Sequence, residues 1–73
     1  MKNFPIQLKE LRRLSGISQK VIAEALNISL RSYQRYEEGS REPNIDTLII
    51  LAKYFNVSLD YLVGLTDNKA INK

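Results

Sequence analysis

The chain of 73 residues contains no cysteine and no histidine. Without cysteine it can form neither a disulfide nor a thiolate metal site, and zinc would have to be bound by carboxylates alone. We therefore expect no metal and no other cofactor. The same absences argue against an enzyme, because the chain has no histidine base, no cysteine nucleophile and no glycine-rich phosphate loop.

Long apolar segments are also absent. The longest run is Leu48–Ala52, whereas a membrane span needs roughly 18 apolar residues. The first five residues, Met-Lys-Asn-Phe-Pro, do not resemble a signal peptide. We predict a cytoplasmic protein without membrane contact or an evident small-molecule ligand. The 44% hydrophobic content is sufficient for one compact domain.

The charge is distributed unevenly along the chain. Residues 1–36 contain seven Lys/Arg and two Asp/Glu, a net +5, whereas residues 37–73 contain four Lys/Arg and six Asp/Glu, a net −2. Such asymmetry is typical of proteins with a polyanionic partner, although a solvated basic surface has the same composition.

Hydrophobic periodicity and capping residues predict five helices and no strand, hence an all-α domain over residues 1–65. The helices are expected at about residues 5–15, 18–26, 29–37, 44–55 and 59–63. Leu8, Leu11 and Leu14 form the apolar stripe predicted for the first helix. Residues 66–73 show no periodicity and are expected to be a flexible C-terminal tail.

The second and third helices are separated by a very short turn. Ser18 and Ser29 can cap their N-termini, and Asn27 tolerates the left-handed conformation that ends a helix. Two short helices joined in this way form a helix-turn-helix, whose second helix can enter the DNA major groove. That helix carries polar side chains suited to base edges and phosphates, namely Arg31, Ser32, Gln34 and Arg35.

These residues resemble the lambda-repressor-like (Cro/XRE-type) helix-turn-helix family over about residues 6–64. The shared motifs are Leu11-Arg12, Gly16-Ile17-Ser18-Gln19, Ile22-Ala23, Leu26-Asn27-Ile28-Ser29, Tyr36-Glu37-Glu38-Gly39, Pro43, Leu48, Leu51-Ala52 and Val57-Ser58-Leu59. The resemblance implies a compact five-helix fold that binds duplex DNA in a sequence-specific manner.

The resemblance also implies roles for individual residues. Gln19 matches a family glutamine that contacts a phosphate and braces the recognition helix, and Arg41 lies in a loop that follows the DNA backbone. Arg12 and Glu37 match a family salt bridge between the first and third helices. The DNA-binding residues implied are Gln19, Ser29, Leu30, Arg31, Ser32, Gln34, Arg35 and Arg41.

The chain departs from the family pattern at a few positions. Asn27 replaces the usual glycine of the turn, and Val21 and Ile50 occupy positions that are usually polar. Leu30 stands where DNA-reading members often have a polar residue. A leucine there can contact a thymine methyl group, or it can indicate that no direct readout occurs at that position.

For several residues the sequence allows two interpretations. Arg31 and Arg35 lie four apart and share one face, so we favour DNA contact over two solvated arginines, without assigning either to a base or a phosphate. Gln34 is either a base or phosphate contact or an exposed polar residue. Tyr33 and Tyr36 are predicted to pack in the core, on the face opposite the arginines.

The chain has more apolar residues than a small core needs, which favours an interface. These residues are Val21, Ile50, Tyr54, Tyr61, Val63 and Leu65. We predict a homodimer that uses the last helix and its flank, with Tyr61, Val63 and Leu65 as interface residues. A two-fold symmetric operator would then present half-sites about 34 Å apart.

The function predicted from the sequence is that of a DNA-binding transcriptional regulator, specifically a small prophage-type or restriction-control-type repressor that acts by occupying its operator. The alternative is an antitoxin or another protein-interaction module that uses the same fold. The charge asymmetry and the two arginines favour the regulator, because a protein-binding module needs neither.

Overall fold

The computed structural model describes residues 3–70, which contain five helices and no strand. The helices are α1 (Phe4–Ser15), α2 (Gln19–Ala25), α3 (Leu30–Glu38), α4 (Ile45–Phe55) and α5 (Leu59–Leu62). The predicted all-α fold is confirmed, and the predicted boundaries differ by about one residue, mainly because each capping residue lies just outside its helix.

Four helices begin at a side-chain cap. The oxygens of Ser18, Ser29, Asn44 and Ser58 each accept a hydrogen bond from the backbone N–H three residues later, at 2.9–3.2 Å. Each cap satisfies one of the N–H groups that the first helical turn leaves without a partner. The capping roles predicted for Ser18 and Ser29 are confirmed.

Residues with a left-handed backbone end the helices and set the turns between them. Asn27 has a φ of 57° in the turn before α3, and Asn56 has a φ of 56° after α4. Gly39 ends α3 with a φ of 81°. Asparagine adopts this conformation at less cost than most residues, which explains why Asn27 serves where a glycine is usual.

Apolar residues from all five helices form one core. Tyr33 and Tyr36 belong to it and meet edge to face, with ring centroids 6.4 Å apart, so their predicted packing is confirmed. The other buried apolar residues are Phe4, Leu8, Leu11, Ile22, Ala23, Leu48, Leu51, Ala52, Val57, Tyr61 and Leu62.

The apolar stripe predicted for α1 is wrong at its C-terminal end. Leu14 is 65% exposed, whereas Leu8 and Leu11 are buried. At 100° per residue, Leu14 lies about 60° around the helix from Leu11, away from Leu8. The core side of α1 therefore ends at Leu11.

The segment after α5 contacts the start of that helix. The Ser58 N–H donates to the Lys69 carbonyl at 2.9 Å, and the Ser58 hydroxyl lies 3.5 Å from the Asn68 carbonyl. The Lys69 ammonium lies 5.8 Å from the centre of the Tyr61 ring. Residues 71–73 of the predicted tail lie outside the described residues. Within residues 3–70, no helix has the length and apolar character of a membrane span.

Candidate nucleic-acid interface

The helix-turn-helix consists of α2, the connection 26–29 and α3. α2 directs Ile22 and Ala23 into the core, and α3 directs Tyr33 and Tyr36 into the same core. Because both helices are anchored on these sides, their opposite sides face solvent. This packing determines which α3 residues can contact a partner.

The solvent side of α3 is formed by Arg31, Arg35 and Glu38, with Gln34 half-buried beside them. Since residues three, four and seven apart lie along one side of a helix, these side chains share a surface. The predicted common face of Arg31 and Arg35 is therefore present in the structure. It lies opposite the two buried tyrosines.

The N-terminus of α3 lies next to this surface. Ser29 Oγ accepts the Ser32 N–H at 3.1 Å and donates to Ser32 Oγ at 2.9 Å. Leu30 is 40% exposed. Ser29, Leu30 and Arg31 are exposed, so the positive end of the α3 dipole is suited to a phosphate.

A buried hydrogen-bond network centred on Glu37 connects α3 to α1 and α2. The Glu37 carboxylate accepts from Arg12 Nε at 2.7 Å, from Gln19 Nε2 at 3.1 Å and from the Tyr33 hydroxyl. Its side chain is only 4% exposed. Gln34 Nε2 extends the network by donating to Gln19 Oε1 at 3.3 Å. The structure thus brings together Arg12 and Glu37, the pair that the family resemblance implies.

Electrostatics within this network keep the ion pair charged. Burial by itself raises the pKa of Glu37, but hydrogen bonds from Arg12, Tyr33 and Gln19 outweigh it and hold the pKa below its usual value near 4.5. The hydrogen bond to Glu37 raises the pKa of Arg12. Burial, together with the neighbouring carboxylate, raises the pKa of Tyr33. Tyr33 therefore acts as a neutral donor and the carboxylate as an anion.

Gln19 has both amide atoms engaged within the protein. Its Nε2 donates to Glu37 and its Oε1 accepts from Gln34. This is the bracing arrangement that the family resemblance implies, because Gln19 links the start of α2 to the middle of α3. Gln34 is half-buried and belongs to this chain of contacts. The alternative that it is simply an exposed polar residue is therefore wrong.

The exposed side of α3 also carries an ion pair that the sequence does not predict. Arg31 Nη1 lies 3.0 Å from Glu38 Oε1, and both side chains are at least half exposed. Arg31 and Glu38 are seven residues apart, which is about two helical turns, and this spacing is the sequence signal that could have predicted the pair. Because an exposed pair of this kind contributes little, Arg31 can exchange Glu38 for another anion at small cost.

The other two arginines predicted at the interface are exposed. Arg35 forms no ion pair within residues 3–70, and its backbone carbonyl accepts the N–H groups of Gly39 and Ser40. Arg41 is exposed in the loop between α3 and α4. Neither Arg35 nor Arg41 forms an ion pair within the described residues, so both exposed side chains can meet an anion.

The predicted dimer residues are placed differently from one another. Tyr61 is 8% exposed and belongs to the core, so its prediction as an exposed interface residue is wrong. A four-residue helix has too few positions for periodicity to define its buried side. Val63 is half-buried against the core, and Leu65 is 77% exposed.

This combination defines a class of protein: an all-helical domain in which a short-turn helix-turn-helix presents an arginine-bearing second helix. The comparison with family models agrees, since the helix-turn-helix model matches residues 8–62. The chain belongs to the Cro/C1-type helix-turn-helix family.

Relatives and solved structures extend this result. The chain is similar to the HTH-type transcriptional regulator ImmR of Bacillus subtilis, with 47% identity over 80% of this chain and 46% of ImmR. It resembles the structure of a Listeria innocua transcriptional regulator, with 41% identity, a TM-score of 0.80, and coverage of 84% of this chain and 57% of that one. It also resembles the DNA-binding domain of the P22 c2 repressor, with 25% identity, a TM-score of 0.76, and coverage of 82% and 79%.

The chain spans about half the length of the curated relatives it matches. The shared half is the helix-turn-helix domain.

Proposed function

We propose that this chain binds double-stranded DNA in a sequence-specific manner and regulates transcription as a small prophage-type or restriction-control-type repressor that occupies its operator. The observation that carries the proposal is the α3 surface, where Arg31 and Arg35 face solvent while Glu37 and the two tyrosines fix the opposite side of the same helix. A rigid helix with an exposed basic side is what major-groove readout requires.

The relatives support this class of function. One similar structure is named as the DNA-binding domain of a repressor, and ImmR is named as a transcriptional regulator. These names describe those proteins. They support the proposal here because the family match covers α2, the turn and α3 of this chain.

Each predicted contact residue has a distinct part in the proposed complex. Arg31 and Arg35 would bind a guanine edge or a phosphate, since both project from the exposed side of α3. Gln34, next to them, would contact an adenine or a phosphate. Leu30 would meet a thymine methyl group at the edge of the surface. Arg41 would follow the DNA backbone from its loop.

Phosphate contacts would flank this reading surface. Gln19 and the first turn of α3, at Ser29 and Ser32, lie at the N-termini of their helices, where backbone N–H groups and the helix dipole favour an anion. Such contacts supply most of the affinity and position α3 in the groove. Binding is therefore expected to weaken steeply as salt increases.

The proposal includes two copies on a two-fold symmetric operator. Pairing of two domains places two α3 helices on half-sites about 34 Å apart. Each half-site alone is short, so pairing increases both affinity and specificity. A regulator of this kind would act in the cytoplasm, where the DNA is.

The experiment is a selection from a random duplex DNA library, followed by sequencing of the bound fraction. We expect the natural chain to enrich a two-fold symmetric consensus and the Arg31→Ala/Arg35→Ala variant to lose it. The matched control is Lys9→Ala/Arg13→Ala, which removes two charges from the exposed side of α1 and should retain the consensus. Folded natural chain that enriches no sequence would contradict the proposal and favour a protein partner, as in an antitoxin.

A further inference from the structure

The solvent side of α4 is unusually apolar for an exposed helix face. The buried side of α4 is formed by Leu48, Leu51 and Ala52. Outside this buried side, α4 carries four large apolar residues that are 39–57% exposed, namely Ile45, Ile49, Ile50 and Tyr54. Clustered apolar exposure of this kind is typical of an interface.

The polar residues on this α4 face are arranged symmetrically about its centre. Asp46 and Lys53 are equally distant from the midpoint between Ile49 and Ile50. If a second α4 runs antiparallel across this midpoint, residue i lies level with residue 99 − i of the other copy. Ile49 then lies level with Ile50 of the second copy, and Asp46 lies level with Lys53 of the second copy.

The two charged residues are not paired within one copy. Both are exposed, and neither forms an ion pair within residues 3–70. Seven residues of helix separate them by about 10.5 Å along the axis, which is too far for contact. An antiparallel second copy supplies the opposite charge at both positions, and these two ion pairs would bracket a patch of four isoleucines.

A groove beside α4 fits the same arrangement. It has a volume of about 380 Å³ and is lined by residues that include Ile49, Ala52, Val57 and Leu59. Ile45, which is 57% exposed, lies on the same side of α4 as Ile49 and Ala52 at helical spacing. A two-fold axis places this side of the second α4 next to the same side of the first α4. Ile45 of the second copy would therefore approach this groove.

We propose that this α4 face, comprising Asp46, Ile49, Ile50 and Lys53 with the adjoining groove, is the surface through which two copies of this chain pair in antiparallel. The inference rests on the proposed function in that it names the partner that completes the two-fold DNA-binding unit. The contact is isologous, because one patch meets the same patch of the second copy. It replaces the flank of α5 as the dimer surface.

The size of the α4 face sets the expected strength of the dimer. Eleven helical residues extend over only about 16 Å, whereas a stable interface buries about 800 Å² on each partner. The free chain should therefore exchange between monomer and dimer as its concentration changes. Binding to adjacent half-sites would then favour the dimer by raising the local concentration.

The test is sedimentation equilibrium of the natural chain and of charge-swapped variants. Asp46→Lys and Lys53→Asp each place like charges opposite one another twice, so each alone should weaken the dimer by about tenfold or more. An equimolar mixture of the two variants restores opposite charges at both positions, as does the double variant. We expect both to regain the dissociation constant of the natural chain within about threefold.

Controls separate pairing from folding and from net charge. Glu24→Lys on α2 and Lys9→Asp on α1 change the charge by the same amounts at exposed positions elsewhere and should leave the dimer intact. Thermal melts establish that each variant is folded, since Asp46 also lies in the first turn of α4. Leu65→Lys tests the flank of α5 and should have no effect on pairing.

The inference is overturned if Asp46→Lys and Lys53→Asp pair as the natural chain does, if their mixture is no better than either alone, or if Leu65→Lys is the variant that abolishes pairing. Its failure is distinct from failure of the proposed function. Sequence-specific DNA binding by a chain that does not pair through α4 would contradict only the dimer surface, whereas α4 pairing without any DNA consensus would contradict only the DNA-binding proposal.

Discussion

Replacing Arg12 with alanine should destabilise this domain far more than replacing any exposed arginine. The side chains of Arg12 and Glu37 are only 15% and 4% exposed. Without Arg12, the Glu37 carboxylate stays buried with only two neutral donors, Gln19 and Tyr33. The Ile17 carbonyl also loses the Arg12 Nη1 donor at 3.1 Å.

The magnitude follows from the cost of leaving one partner of a buried ion pair behind, about 3–5 kcal/mol. At roughly 0.05–0.15 kcal/mol per residue, a domain of this length has a total stability of about 4–11 kcal/mol. Arg12→Ala therefore removes between a quarter and all of it. For a domain of this size, we expect the melting temperature to fall by about 12–40 °C.

The assay is urea and thermal unfolding at pH 7, followed by circular dichroism. The matched control is Arg13→Ala, because the adjacent Arg13 forms an exposed ion pair with Glu10 at 3.0 Å. Such exposed pairs contribute about 0–1 kcal/mol, so Arg13→Ala should change the midpoint by only a few degrees. Arg31→Ala should behave like this control. Equal midpoints for Arg12→Ala and Arg13→Ala would refute the reasoning.

Three further predictions concern α3 and its ends. Because Glu37 has a lowered pKa in the folded chain, its contribution to the free energy of unfolding is complete above about pH 4.5 and is lost as the pH falls further. The difference in unfolding free energy between the natural chain and Glu37→Gln should therefore shrink in acid. Denaturant titrations at several pH values measure this difference. Gly39→Ala should cost about 1–2 kcal/mol in the same titration, because φ is +81° and the new Cβ would lie 3.2 Å from Pro5 Cγ. Glu38→Gln should tighten DNA binding by up to about fivefold in an anisotropy titration, because it frees Arg31 from an exposed ion pair; unchanged or weaker binding would contradict that role for Glu38.

The fold was largely predictable because its signals are local. Ser18, Ser29, Asn44 and Ser58 each precede an apolar pattern and cap a helix in the structure. Capping depends on the hydrogen bonds of one turn, which adjacent residues determine. The helix order and the all-α class followed from these starts.

Placement of side chains relative to the core was less predictable where helices are short or end. The sequence predicts Tyr61 at an interface, but Tyr61 lies in the core, because the four residues of α5 do not define a periodic stripe. The sequence predicts Leu14 in the core stripe, but Leu14 is exposed in the last turn of α1. In both cases tertiary packing decides the outcome, and one helix alone does not encode it.

The candidate site shows the same division. The common face of Arg31 and Arg35 follows from spacing along α3. The contacts of Gln34 with Gln19 and of Tyr33 with Glu37 depend on side-chain geometry across two helices or one turn, which composition does not reveal. The Arg31–Glu38 pair also depends on rotamers.

The central claim is that α3 reads base pairs through its two exposed arginines, and the most direct measurement is discrimination at each base pair of the selected duplex. Affinities of the natural chain, Arg31→Ala and Arg35→Ala are compared for the duplex and for every single base-pair replacement. The account predicts that at least one variant loses discrimination at a defined position, by about 1–3 kcal/mol, while retaining it elsewhere. Variants that keep the full discrimination profile at every position would contradict it.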